Sequence, residues 1–385
     1  MISDDFRDVK RVVVKLGSQV VTDEKRALSG ELFSWLAEDI KVLSSEGVEV
    51  AIVSSGAVAA GMGRLGFEEP PATIPEKQAL ASVGQLNLMW TYREHFNAHD
   101  MIVAQILLTR EDFHNRRRYQ NAKNTMNELF KRDVVPVINE NDTVVVEELR
   151  FGDNDNLSAL VSNLIEADCL IILSDVEGLY DKDPKTNPEA TLIKSVELSE
   201  ENPDEFVGAS KTMVGTGGMA SKLTAVRRAV HAGAKAVIAS GRRPHALRDI
   251  FAGEGVGTTF KADGDRLTRR KHWIAYTVKS SGEIVVDEGA ARAISSRGTS
   301  LLPKGILSCR GDFDRGDAVW ILNRELKRVA KGLTHYSAKE VEAIAGLASW
   351  EIVDRLGYKY YDEVVHRDDM VLGSAIEQVS SPRRG

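Results

Sequence analysis

Short apolar segments alternate with longer segments of helical spacing along the first 250 residues of the chain. The short segments are apolar throughout, as buried strands of a parallel sheet are. This alternation predicts an α/β fold whose largely parallel sheet is covered by helices on both faces. The predicted strands are 9–16, 48–54, 102–108, 134–138, 169–173 and 236–239, and the predicted helices are 30–45, 75–96, 119–130, 156–167 and 220–232.

The pattern changes after Asp263-Gly-Asp265. Short alternating segments at 274–278, 283–286 and 318–321, separated by Gly and Asp turns, predict a small, mostly β domain. We therefore expect an α/β domain over residues 1–262, a β domain over 266–373 and a disordered tail over 374–385.

The amino-acid composition limits the cellular compartment and the binding partners that we expect for the protein. The chain has 385 residues, of which 43% are hydrophobic and 28% charged, as in ordinary globular proteins. It has no run of about 20 apolar residues and no apolar leader, so we expect neither a membrane span nor a signal peptide. Cys169 and Cys309 are far apart and are typical of core residues in a reducing, cytoplasmic protein. Residues 266–373 hold 18 Lys/Arg against 15 Asp/Glu, a net charge of only +3, which argues against an RNA partner.

The most concentrated polar chemistry lies in Phe151-Gly-Asp-Asn-Asp-Asn156, directly before a predicted helix. Its two carboxylates repel each other unless a cation, an ammonium group or backbone N–H groups stabilise them. Helix capping is the alternative explanation for such a run of Asp and Asn. Lys15 closes the first predicted strand, and a buried ammonium needs a negative partner. That partner is either a functional anion or a structural carboxylate.

Two glycine elements follow predicted strands or open helices. Ser54-Ser-Gly56 offers hydroxyl and N–H donors at a helix start, which favours anion binding. Gly215–Lys222 matches G-x-G-x-x-A, but no apolar strand precedes it and no acidic residue closes the next strand, so we reject a dinucleotide site. This loop is suited to wrapping phosphates while Lys222 neutralises charge. A surface turn with a solvated lysine is the alternative.

These motifs together resemble the amino acid kinase family, and in particular its glutamate 5-kinases. The resemblance covers residues 9–260, and the C-terminal part resembles a PUA domain. It implies a three-layer sandwich with a mainly parallel sheet, plus the small β domain. The departures are small, because Ser174 and Ser221 stand where Thr is common and both keep a hydroxyl. The motifs are Lys15-x-Gly-Ser18, Ser54-Ser-Gly-Ala57, Asn139-Glu-Asn-Asp142, Phe151–Ser158, Ser174–Tyr180 and Gly215–Met219 with Lys222.

The resemblance implies ATP-dependent phosphorylation of the side-chain carboxylate of L-glutamate, the first step of proline biosynthesis. It also implies Mg²⁺ held mainly by nucleotide phosphates and water rather than by protein ligands. Further implied partners are L-proline as a feedback inhibitor, the next enzyme of the pathway, and other copies of the chain in a dimer or tetramer. The alternatives are another family member, such as an acetylglutamate, aspartate or uridylate kinase, or an RNA-binding regulator acting through the PUA-like domain.

The resemblance assigns the site residues in three groups. The catalytic residues are Lys15, Asp155 and Lys222. The substrate-binding residues are Ser55, Gly56, Asp142 and Asn154. The ATP-binding residues are Lys15, Ser174, Asp175, Thr216, Gly217, Gly218, Met219, Ala220, Ser221 and Lys222.

Overall fold

The chain divides into two compact units, Met1–Asp263 and Gly264–Gly385, in a computed structural model. The structure describes residues 2–23, 26–114, 116–144, 154–184, 186–198, 217–262 and 280–373, with the single positions 274 and 376. The tail predicted over 374–385, apart from residue 376, lies outside the described residues. So does the strand predicted at 274–278, apart from Ile274.

An eight-stranded sheet runs through the first unit in the order β3-β4-β2-β1-β5-β7-β8-β6. Its pairings are parallel except for that between β7 and β8. The central strand β1 therefore has parallel neighbours on both sides, β2 and β5. The strands are β1 Arg11–Leu16, β2 Glu49–Ser54, β3 Ile102–Leu108, β4 Val134–Glu140, β5 Cys169–Ser174, β6 Ser195–Leu198, β7 Lys235–Ser240 and β8 Thr258–Ala262.

Helices cover both faces of this sheet. Alternate residues of β1 point to opposite faces, so that Val12 and Val14 enter one apolar cluster and Val13 enters the other. The first cluster includes residues of α2, α4 and α9, and the second includes residues of α6, α7 and α8. The predicted α/β sandwich with a mainly parallel sheet is confirmed. The helices are α1 Ser18–Val21, α2 Gly30–Ser45, α3 Ala57–Leu65, α4 Ile74–Asn97, α5 Arg110–His114, α6 Arg116–Phe130, α7 Asn154–Leu164, α8 Gly217–His231 and α9 Ala246–Phe251, with a 3₁₀ turn at Asp4–Phe6.

Two helices begin earlier than the apolar pattern indicates. Helix α7 begins at Asn154 and α8 at Gly217, so the described parts of the polar and glycine motifs, Asn154–Asn156 and Gly217–Met219, lie in first helical turns rather than in the loops we predicted. The apolar pattern missed these turns because they face a cleft instead of the core. Strands β6 and β8 also escaped prediction, since each is short and lies at or next to the sheet edge.

Helices α3 and α4 approach each other unusually closely, and glycine makes the contact possible. A Cβ atom added at Gly61 would lie 1.9 Å from the carbonyl oxygen of Leu80. One added at Gly84 would lie 1.7 Å from the carbonyl oxygen of Ala57, and neither distance is sterically possible. The contact fixes the start of α3, and with it the Ser55-Gly56 turn, against α4.

The second unit contains a five-stranded sheet in the order β10-β9-β11-β12-β13. Its core includes Ile284, Phe313 and Tyr336, which are buried together. The predicted small, mostly β unit is confirmed. Its strands are β9 Ser280–Val286, β10 Ile306–Gly311, β11 Ala318–Leu322, β12 Arg328–Thr334 and β13 Val365–Leu372, and its helices are α10 Glu288–Arg297, α11 Ala338–Ile344 and α12 Ile352–Leu356, with 3₁₀ turns at Pro303–Gly305 and Ser349–Glu351. Among the described residues of both units, no helix combines the length and apolarity that crossing a membrane requires.

Candidate active site

A cleft of about 1040 Å³ opens in the first unit where β1, β2, β4 and β5 end. Ligand pockets commonly measure about 300–1,000 Å³, so this cleft has room for two substrates. Its position at the carboxyl ends of parallel strands is where open α/β sheets bind their ligands. The lining includes Lys15, Ser55, Asn139, Asp142, Asn154, Asp155, Ser174, Asp175 and Lys222.

A carboxylate between two ammonium groups forms the charged centre of the cleft. The Asp155 side chain is 1% exposed and forms an ion pair through Oδ1 with the buried Lys15. Its other oxygen, Oδ2, lies 3.6 Å from Nζ of Lys222. The two lysines come from β1 and α8, and Asp155 lies in the first turn of α7. The structure therefore brings together three residues that are separated by up to 207 positions in sequence.

The start of α8 adds hydroxyl and backbone donors beside this centre. Ser221 donates from Oγ to Oδ2 of Asp155 at 2.8 Å, and Lys222 donates from Nζ to the carbonyl of Gly218 at 3.2 Å. The first N–H groups of a helix lack partners within the helix and attract anions. Gly218 and Met219 line the cleft, whereas Ala220 lies in the same turn without lining it. Thr216 lies outside the described residues.

Gly56 allows the turn between β2 and α3. Its φ of +96° is in the left-handed region, and a Cβ atom there would lie 3.2 Å from Cγ1 of Val21. A side chain at this position would therefore strain the backbone and crowd α1. Ser55 and Gly56 line the cleft at the start of α3.

Asn154 is held by a network of buried hydrogen bonds. Its Nδ2, which carries two hydrogens, lies 2.7 Å from the Ser54 carbonyl oxygen, 3.0 Å from Oγ of Ser55 and 2.9 Å from Oδ1 of Asn139, so two of these acceptors share one hydrogen. These acceptors come from the ends of β2 and β4. Residues of the motifs 54–57 and 139–142, which the sequence presents separately, thus meet Asn154 of the third motif at one side of the cleft.

Asp142 and Lys77 place opposite charges in the same part of the cleft. Asp142 follows β4, and its burial raises the pKa of this carboxyl group to about 6, against the opposing charge of Lys77. Lys77 lies in the first turns of α4 and lines the cleft. Lys77 lies outside the sequence motifs that predicted the site. Its one available signal was a cation near a helix N-terminus, where the helix dipole disfavours positive charge.

The other end of the cleft is formed after β5. Ser174 is buried and accepts from the N–H of Val176 at 3.3 Å, while Asp175 is exposed. Gly178 and Tyr180 continue this wall. Gly178 has a φ of +156°, and a Cβ atom there would lie 2.6 Å from Oγ1 of Thr258. A side chain at position 178 would therefore crowd Thr258.

Comparison with known proteins settles the family. The amino acid kinase family profile matches residues 10–240, which carry every described residue of the cleft, and the PUA domain profile matches residues 282–356. The chain belongs to the amino acid kinase family.

Relatives that match nearly the full length of this amino acid kinase include glutamate 5-kinases. A glutamate 5-kinase of Citrifermentans bemidjiense is 52% identical over 95% of this chain and 98% of its own length. A glutamate 5-kinase of Syntrophotalea carbinolica is 51% identical over 97% of this chain and 100% of its own. Among solved structures, a carbamate kinase from Giardia lamblia bound to AMP-PNP has a TM-score of 0.48 and 14% identity, over 67% of this chain and 100% of that one.

Proposed function

We propose that this amino acid kinase transfers the γ-phosphoryl group of ATP to the side-chain carboxylate of L-glutamate, giving γ-glutamyl phosphate and ADP. Its full-length relatives at about half identity are glutamate 5-kinases, and this reaction begins proline biosynthesis. The observation that carries the proposal is the pair of lysines held around Asp155 in a cleft large enough for both substrates.

The reaction needs charge neutralisation more than proton transfer. An oxygen of the glutamate carboxylate attacks the γ-phosphorus, and the bond from that phosphorus to the β-phosphate bridging oxygen breaks to release ADP. The carboxylate is already ionised at neutral pH, so no general base is required. Both reactants are anionic, so positioning and cationic stabilisation supply the catalysis.

We assign this stabilisation to Lys15 and Lys222. Both ammonium groups are directed by one carboxylate, Asp155, which lowers their mutual repulsion and fixes their positions. Preorganised charges of this kind need no rearrangement when the transition state forms. Asp155 therefore acts by orienting the two lysines.

The nucleotide is assigned to the wall formed after β5 and to the start of α8. ATP as co-substrate follows from the kinase family, and its contacts are proposed to be Lys15, Ser174, Asp175 and the segment 216–222. Among the described residues, no group of three or more His, Cys, Asp and Glu side chains is placed to hold a metal ion. We propose that phosphate oxygens and water hold most of the coordination sphere of Mg²⁺, since this ion keeps much of its water, and that the ion would neutralise phosphate charge.

The amino-acid end is assigned to Ser55, Gly56, Asp142 and Asn154. Hydroxyl and N–H donors of Ser55 and Gly56 suit the α-carboxylate, and Asp142 suits the α-ammonium. Asn154 completes this group through its amide. These residues lie on one side of the cleft, away from the wall formed after β5.

ADP release with ATP and Mg²⁺ tests the proposed function directly. The acceptor panel should contain L-glutamate, N-acetylglutamate, aspartate and UMP at equal concentrations. We expect turnover with L-glutamate alone. Preference for N-acetylglutamate, aspartate or UMP would instead identify another activity of the amino acid kinase family.

Asp142 gives a prediction about pH. Its pKa is raised to about 6 by burial, so the ligand-free carboxylate gains a proton as the pH falls below that value. The protonated form cannot attract an ammonium group, whereas the glutamate side chain, with a pKa of about 4.3, stays ionised down to pH 5.5. We expect the KM for glutamate to rise as the pH falls from about 7 to 5.5, with little change in the KM for ATP.

The matched variant is Asp142→Asn, which replaces a charge-assisted bond with a weaker neutral one. It should have a higher KM for glutamate at pH 7 and should lose the rise between pH 7 and 5.5. Equal losses for glutamate and ATP would remove Asp142 from the amino-acid end.

L-Proline is proposed as a feedback inhibitor at an overlapping site. It offers the same α-carboxylate and ammonium groups to Ser55 and Asp142 but has no side-chain carboxylate to accept phosphate. We expect inhibition that rising glutamate relieves, measured as glutamate saturation at several fixed proline concentrations. Inhibition unaffected by glutamate would place proline elsewhere.

We also propose that the protein acts in the cytoplasm as a dimer or tetramer, with the next enzyme of the pathway as a partner and without RNA. Exposed apolar side chains support self-association. Leu86 and Trp90 on α4 are 72% and 58% exposed, and Ile102 on the sheet-edge strand β3 is 63% exposed. Exposed apolar surface that is contiguous commonly marks an interface, and Leu86 and Trp90 lie one turn apart on α4.

A further inference from the structure

A line of three side-chain amides leads from helix α4 to the amino-acid end of the cleft. Oε1 of Gln85 accepts from Nδ2 of Asn139 at 2.8 Å, and Oδ1 of Asn139 accepts from Nδ2 of Asn154 at 2.9 Å. Asn139 is 2% exposed and Asn154 is 9% exposed, so water has little access to this line. Gln85 does not line the cleft, and it has no role in the proposed phosphoryl transfer.

Two backbone groups determine which way these amides face. The atom of Asn154 that faces the Ser54 carbonyl must be nitrogen, because a carbonyl oxygen only accepts. The atom of Asn139 that faces the N–H of Glu140, at 2.9 Å, must be oxygen, because an N–H only donates. The remaining Nδ2 of Asn139 then requires an acceptor, and Gln85 supplies it.

This direction determines what the cleft offers to a ligand. Asn154 uses its NH₂ group for protein acceptors, and within the described residues its Oδ1 has no partner. Ser55 accepts from Asn154, so its own O–H is available as a donor. The cleft therefore offers an acceptor from Asn154 and a donor from Ser55.

We propose that Gln85 and Asn139 are positioning residues that hold Asn154 and Ser55 in this arrangement, as an acceptor for the α-ammonium and a donor for the α-carboxylate of an amino acid. The inference rests on the proposed function, and it explains what fixes the hydrogen-bond acceptor and the hydrogen-bond donor at the amino-acid end. It also predicts the ligand class, namely an unsubstituted α-amino acid. An acylated amine would offer a single N–H and no positive charge to Asn154.

Gln85 is the residue with which to test the inference, because its removal leaves the cleft lining intact. Without Oε1, Nδ2 of Asn139 becomes a buried donor with no acceptor. The penalty for such a donor generally exceeds the net contribution of one hydrogen bond. We therefore expect Asn139 to leave its present orientation and release Asn154.

The variant Gln85→Leu should have only a small effect on folding. Among the described residues, Nε2 of Gln85 is itself a buried donor with no hydrogen-bond partner, and leucine removes it. The change removes the unpartnered Nε2 donor of Gln85 and leaves Nδ2 of Asn139 without an acceptor, so the number of unpartnered buried donors stays the same. We expect a melting temperature close to that of the wild type, which separates a positioning role from a structural one.

The experiment compares glutamate and ATP saturation for the wild type, Gln85→Leu, Gln85→Glu and the control Gln78→Leu on the same helix. We expect Gln85→Leu to raise the KM for glutamate about 10-fold, with kcat and the KM for ATP within about 2-fold, as loss of one oriented hydrogen-bonded group implies. Gln85→Glu keeps an acceptor oxygen and should restore the KM for glutamate to near the wild-type value. Gln78→Leu should match the wild type.

The outcomes separate this inference from the proposed function. Wild-type turnover with L-glutamate and an unchanged KM in Gln85→Leu would overturn the positioning role alone. Equal losses in Gln85→Leu and Gln85→Glu would also overturn it, because the acceptor oxygen would then be irrelevant. No wild-type turnover with L-glutamate would overturn both.

Discussion

Lys222→Met is expected to lower kcat at least ~100-fold, as the loss of other preorganised charge stabilisers does. Methionine keeps much of the length and apolar surface of the side chain but removes the ammonium group that lies 3.6 Å from Asp155. The KM for glutamate should change much less, because the amino-acid end of the cleft lies on other elements. Initial rates measured over a range of glutamate and ATP concentrations give kcat and the KM for glutamate separately.

Lys131→Met is the matched control for that measurement. Lys131 is exposed and pairs with Glu128 one helical turn away, so its loss should leave turnover and stability unchanged. Near-normal turnover of Lys222→Met would show that this lysine is structural, and the proposed charge neutralisation would then be wrong.

Asp155→Asn is expected to reduce both turnover and stability. It leaves the buried ammonium of Lys15 without a charged partner, and breaking a buried ion pair from one side typically costs about 3–5 kcal/mol. The two lysines would also repel each other where both must face the transferring group. We expect at least ~100-fold lower kcat and a clearly lower melting temperature.

A second variant separates the two effects of Asp155. In Lys15→Met/Asp155→Asn, neither member of the buried pair is left charged, so part of the lost stability should return. Turnover should stay low, because the double variant lacks both Lys15 and the group that orients Lys222. Recovery of turnover together with stability would contradict the orienting role of Asp155.

The apolar pattern predicted the α/β unit well because its strands are buried on both faces. Positions such as Val12, Val13 and Val14 are all fully buried, as expected of a central strand in a sheet that helices cover on both faces. The same pattern placed the starts of α7 and α8 too late. Their first turns lie at the cleft, so Asn154, Asp155, Gly217 and Gly218 carry no apolar signal.

The sequence by itself determined the family, the layered sheet and the motifs that supply the lysines, the central carboxylate and the amino-acid end. These depend on local pattern and residue type, which a single chain displays directly. The family resemblance grouped Asp155 with Lys15 and Lys222, and the tertiary structure supplied the contacts that place it between them. Tertiary structure alone decided that Lys77 faces the part of the cleft with Asp142 and that Gln85 reaches Asn139. Residues 85 and 139 come from a helix and a strand that are far apart in sequence, and only their packing brings the two amides within hydrogen-bonding distance.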